Sequence, residues 1–249
     1  MRPVNGWRSH LYGPTESSTL HGRTEDFSPS MERLMGLSPR MGFQQGDHAC
    51  MLYLTPEEQL SAAAEYVRGG LDRGERCLYV CCEHTISEFG AALESAGIDV
   101  DAEERRGALV IITKEDGHLA GGVFDPDRMI ATLDMALKDA LAAGFKGLCA
   151  AGDMVWLLDE APGCERIAEY EARLNRFYEN NNALGLCLYN LKTMPPALID
   201  HCLATHKYVR IEGPILLTNP FYELAEDVFS RVAQPETVPE KLARLGSMA

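Results

Sequence analysis

Short, near-continuous apolar runs separated by segments with helical periodicity constrain this chain more than any other feature. The runs are HACMLY (48–53), RCLYVCC (76–82), LVIIT (109–113), the strand within GLCAAGDMVW (147–156), LGLCLYN (184–190) and KYVRIE (207–212). A strand with one wet face alternates apolar and polar residues, whereas a strand covered on both faces is apolar throughout. The intervening segments carry helix signals. Thr55 with Glu58 and Thr85 with Glu88 fit capping boxes, and Pro56 fits a first helical position. Leu60, Ala64, Val67 and Leu71 then share one helical face. Asp125-Pro126, Pro162 and Pro195-Pro196 precede further helices. Six strands alternating with about five helices predict an α/β, three-layer sandwich with a mainly parallel sheet.

In open sheets of this kind, ligands bind beyond the carboxyl ends of the strands. Those ends are Tyr53 to Thr55, Glu83 to Thr85, Thr113 to Glu115, Asp153 to Trp156 and Asn190 to Lys192. Residues 1–40, rich in Ser, Gly, Pro, Arg and Glu, have no sustained period and read as a flexible arm. The periodic core runs over 41–222, and 223–249 reads as a C-terminal helix and tail.

Charge and cysteine usage narrow the function. With 23 basic and 37 acidic residues the net charge is −14, which disfavours direct binding of nucleic acid. No apolar run reaches the ~18–20 residues of a membrane span, and the first residues lack the apolar region of a secretory signal. The eight cysteines form no CxxC pair and mostly lie in strand runs, where they read as small buried hydrophobes. A cytoplasmic location is therefore expected.

The first strand-to-helix turn, where many such sheets cradle phosphate, reads LYLTPEEQ. It has no glycine and no lysine, and it places two carboxylates at the helix start, unlike GxxxxGK[ST] or GxGxxG. The stretch from Gly46 to Thr85 nevertheless resembles the first βαβ unit of RecA/KaiC-like ATPases. It shares the lead-in Gly46-Asp47, the run from Gly70 to Val80 and the strand-end acid Glu83, while Asp153 ends a strand placed like a Walker B strand. GDHACMLY, the TPEEQ turn, FDPDRM (124–129), the Gly-Asp-Met-Val-Trp run, YEARLN (170–175), LCLYN and NPFY together resemble the MEDS family of sensory domains over about residues 43–222. The resemblance implies a RecA/KaiC-like P-loop-NTPase topology without a Walker A loop. It also implies a sensor of simple hydrocarbon derivatives that works beside signalling or DNA-binding modules. The sequence shows no helix-turn-helix or kinase module, so the output is expected to pass to a separate signalling or transcription-regulatory partner. By analogy with ring-forming ATPases, a homo-oligomer is a further expectation.

The candidate ligand-binding residues are His48, Cys50, Tyr53, Glu83, Asp153, Trp156, Tyr189 and Asn190. His48 and Cys50 are two apart on a strand and face the same side. They could hold a soft metal, but two ligands fall short of the three or four usual for zinc, so ligand contact is preferred and no metal or other cofactor is expected. Glu83 and Asp153 could orient a polar ligand group or cap local backbone. Trp156 beside these acids suits a small apolar pocket, with core packing as its alternative. Glu171, among Arg166, Glu169 and Arg173, reads as part of a solvated charged face, and His206 stands where a helix dipole favours a cation. Cys81 and Cys82 point to opposite faces and cannot join His84 in one cluster. With no GxSxG or HExxH, no catalytic residue is assigned and an enzyme is not expected. Two alternatives stay open: a divergent NTPase or hydrolase using Glu83 and Asp153, and a ligand-free protein-interaction module.

Overall fold

The computed structural model describes residues 39–211 and 215–228. The expected arm, up to residue 38, and the tail from 229 lie outside the described residues. Among the described residues, eight strands make one sheet: β1 (Pro39–Met41), β2 (His48–Tyr53), β3 (Arg76–Cys81), β4 (Leu109–Thr113), β5 (Leu148–Asp153), β6 (Ala183–Asn190), β7 (Tyr208–Arg210) and β8 (Ile215–Thr218). Their spatial order is β1-β8-β7-β2-β6-β5-β3-β4. The six strands from β7 to β4 pair in parallel, and β8 joins β7 and β1 antiparallel.

The helices are α1 (Pro56–Arg73), α2 (Ile86–Ser95), α3 (Val100–Arg105), α4 (Pro126–Ala142), α5 (Ile167–Glu179) and α6 (Pro196–Thr205). The two expected capping boxes are present at Thr55 and Thr85. Thr55 Oγ1 accepts from Glu58 N, and the Glu58 carboxylate accepts from Leu54 N and Thr55 N. The Glu58 amide in the first turn and the two amides just before the helix are thus served by side chains of the capping box, with Glu57 and Glu58 in the first turn. Gly74 ends α1 in the left-handed region at φ 80°.

Both faces of the sheet are covered. Ala49, Met51 and Tyr53 of β2 pack with Tyr66, Val67, Phe89 and Leu93 of α1 and α2. Cys50 and Leu52 point the other way, into a layer with Met129, Leu133, Tyr170, Leu174 and Cys202 of α4, α5 and α6. Cys81 and Cys82 likewise divide between the two layers. Handedness accounts for this division. The connections β2–α1–β3 and β3–α2–α3–β4 step one way along the sheet, whereas those through α4, α5 and α6 step back. Right-handed crossovers therefore put the two groups of helices on opposite faces. The chain at 225–228 forms a helical turn, and Ala225 and Val228 bury against Ala168 and Ala172 of α5.

Several features differ from the sequence-based expectation. β1, β8 and α3 are additional elements. The run at 147–156 divides into β5 and a 3-10 segment, Met154–Asp159. Glu171 is not solvated: it is 2% exposed, because it lies on the stripe Ile167, Tyr170, Leu174 and Tyr178 by which α5 packs on the sheet.

Candidate functional site

The chain leaves β2 and β3 toward one face and β5 and β6 toward the other. Two crevices therefore open at the carboxyl edge, one between β2 and β6 and one between β5 and β3. Tyr53 and Asn190 end the first pair of strands in register, and Glu83 and Asp153 stand at the second. The four residues form one network. Tyr53 donates its hydroxyl to Glu83 Oε2 at 2.7 Å, and Asn190 donates its amide to Glu83 Oε1 at 3.1 Å. Asp153 accepts from the backbone N–H groups of Glu83 (2.6 Å) and Val155 (3.1 Å), so it caps both the loop after β3 and the 3-10 segment. Burial pushes the Asp153 carboxyl up to about 6, against those two N–H groups, which favour its charge. Burial, with the Asp153 charge next, also raises the Tyr53 phenol. Leu54, Leu191 and Ile86, which follow these strands, are exposed apolar side chains. The edge is a polar network with an apolar rim.

His48, Cys50 and Tyr189 lie elsewhere, beneath the sheet on the α5–α6 side. There Glu171 is central. Its Oε1 accepts from the Tyr189 hydroxyl at 3.0 Å, and its Oε2 lies 3.4 Å from both His48 Nε2 and His206 Nε2. Cys187 Sγ is 3.6 Å from His48 Nε2 and 3.9 Å from Glu171 Oε2. These side chains are all buried. The contacts are not ion pairs. Burial lowers His48 to about 4 despite its bond to Asn175, and burial and the neighbouring His48 hold His206 far below its usual value. Burial pushes Glu171 up to about 8, against the hydrogen bonds from Tyr189 and Cys187. The cluster is neutral near pH 7, so the expected cation at His206 is absent. The Sγ atoms of Cys50 and Cys202 lie within 4.8 Å of each other and of a ring nitrogen of His206.

Trp156 occupies a third place. The 3-10 segment after β5 turns it into the core, where its ring stacks on buried His118 at 4.8 Å and packs on Phe124 at 4.7 Å. Burial alone lowers His118 to about 3. His118 Nδ1 and Trp156 Nε1 are buried without hydrogen-bond partners. A cavity of about 30 Å³ lies alongside, lined by His118, Met129, Gly152, Tyr170 and Cys187 among others. It has room for a water molecule rather than a larger ligand.

The eight candidate residues thus divide into an edge network (Tyr53, Glu83, Asp153 and Asn190), a buried cluster (His48, Cys50 and Tyr189) and the core residue Trp156. Sequence reasoning missed Glu171, Cys187 and His206 as partners of His48. The helical stripe at 167, 170, 174 and 178 was the available signal for Glu171.

The structure is an α/β sheet protein with polar residues gathered at its carboxyl-edge crevices and in one buried cluster. The sequence profile of MEDS, the methanogen/methylotroph, DcmR sensory domain, matches residues 47–207. The chain belongs to this family, which gives it a sensory or signalling role. Among solved structures, a KaiC-like protein from the hyperthermophilic archaeon Pyrococcus horikoshii OT3 is similar at 16% identity with a TM-score of 0.49. The likeness covers 68% of this chain and 72% of that one. No curated protein matches the chain by sequence. Among the described residues, no helix is long and apolar enough to cross a membrane.

Proposed function

We propose that the chain senses a small organic ligand at the carboxyl edge of the sheet and passes the signal to a separate signalling or transcription-regulatory protein. One observation carries this reading: Tyr53, Asn190, Glu83 and Asp153 converge at the two switch points of the sheet. Leu54, Leu191 and Ile86 give that polar network an apolar rim. Such a combination suits a ligand with a small carbon body and one or two polar atoms. A nucleotide phosphate is disfavoured, since the start of α1 is closed by its own capping box and carries two carboxylates. A ligand that takes the Tyr53 or Asn190 hydrogen bonds from Glu83 would loosen the loop after β3, whose amide is held by Asp153.

The test is calorimetric titration of the full chain with small alcohols, ketones, halogenated alkanes and carboxylates, with magnesium ATP alongside. At least one organic class should bind, and Asn190→Ala should weaken it about ten-fold, the order of one hydrogen bond. Failure across the organic panel, or tight ATP binding with turnover lost in Asp153→Asn, would overturn the reading.

A further inference from the structure

The lone pairs in the buried cluster converge. Asn175 donates its amide nitrogen to the carbonyl of Thr205 at 2.7 Å, which leaves its oxygen facing His48 Nδ1 at 2.9 Å. His48 must therefore carry its proton on Nδ1. His206 Nδ1 lies 2.7 Å from the carbonyl of Cys202, which only accepts, so that nitrogen is protonated too. Both imidazoles then turn Nε2, the nitrogen left free, toward the same oxygen of Glu171. His206 Nε2 is buried with no hydrogen-bond partner. A proton on Glu171 can serve only one of these two nitrogens, whereas a cation placed between the side chains would engage both.

We propose that His48, Glu171, Cys187 and His206 form a closed four-ligand site for a divalent metal ion, with zinc the best fit. The inference does not rest on the ligand site at the carboxyl edge. Their ligand atoms lie within 4.8 Å of one another. Bond lengths of about 2.0–2.1 Å to N and O and about 2.3 Å to S set tetrahedral edges of roughly 3.3–3.6 Å. Four of the six edges are 3.4, 3.4, 3.6 and 3.9 Å and the other two lie within 4.8 Å, so binding asks for an inward movement of the ligand atoms. Asn175 and the Cys202 carbonyl act as outer partners that fix each imidazole, the arrangement usual around metal-bound histidine. One carboxylate and one thiolate balance a divalent charge, so the buried complex is neutral; the displaced protons go to solvent. Four protein ligands leave no open position, which is the pattern of a structural rather than a catalytic metal. Because the site is enclosed, loading accompanies folding.

The experiment uses the full chain, unfolded under reducing conditions with chelator and refolded with cobalt(II) as the probe. The expected result is one cobalt per chain, with the visible bands of tetrahedral cobalt and a near-ultraviolet thiolate-to-cobalt band. Cys187→Ser should lose the thiolate band and Cys50→Ser should keep it, which separates this site from one built on Cys50 and Cys202. His206→Gln should weaken retention by at least about 100-fold, since outer-shell changes alone cost 10–100-fold. Zinc should displace the cobalt. A refolded wild-type chain that retains no cobalt, gives an octahedral spectrum or shows no thiolate band overturns the proposal, as does loss of the band in Cys50→Ser alone. Should Cys187→Ser fail to refold, the wild-type stoichiometry and the Cys50→Ser spectrum decide.

Discussion

Asp153 shows at the residue scale how burial and backbone capping meet. Its carboxyl is enclosed, held by two amides, and raised by burial from the ordinary 3.8 to about 6. Between these values the unfolded chain has released a proton that the folded chain still holds. Asp153 therefore lowers stability as pH rises through that window, and its effect is level above it. Urea melts at a series of pH values should show the window flattened in Asp153→Asn, by up to about 3 kcal/mol for two pKa units. Trp156 answers to packing instead. Trp156→Ala should cost about 3–5 kcal/mol in the same melts, because nothing nearby can fill the space of a fully buried indole. Strand-end position alone placed Tyr53, Glu83, Asp153 and Asn190 at the carboxyl edge, because that edge follows from the order of runs along the chain. The partners of His48 were hidden: Cys187 and His206 come from distant segments, and Glu171 was masked by the charges of Arg166, Glu169 and Arg173 around it.

At the scale of the element, boundaries followed local chemistry wherever that chemistry was strong. Thr55 and Thr85 announce their helices by spacing, and Thr55→Ala should lower stability by about 1 kcal/mol in thermal melts. Close approach of α1 to the sheet depends on Gly70, where an added Cβ would sit 2.7 Å from both Cys77 Sγ and Cys149 Sγ. Gly70→Ala should therefore destabilise by about 1–3 kcal/mol through overpacking, although alanine is the better helix former. The elements that escaped the sequence are short. β1 and β8 have three and four residues, and α3 has six with no buried side chain. Such segments owe their conformation to a neighbour in space, and no period can build up over so few positions.

The fold class of the whole molecule was legible because runs apolar on both faces admit only a covered sheet. The strand order was not, since it depends on which way each crossover steps. The observed order puts β2, β6, β5 and β3 at the centre with neighbours on both sides. Their amides should exchange with deuterium most slowly, and those of β1 and β4 fastest among the strands; equal protection across the sheet would contradict this architecture. The pairing of β1 with β8 has a mechanical consequence. Pro39, where β1 begins, sits opposite Leu217, near the end of β8. Tension between residues 39 and 218 is thus applied across the rungs of an antiparallel ladder, whose bonds run perpendicular to the strands. The bonds break in turn, as in a zipper, and the seam parts at low force while the parallel strands beside it hold.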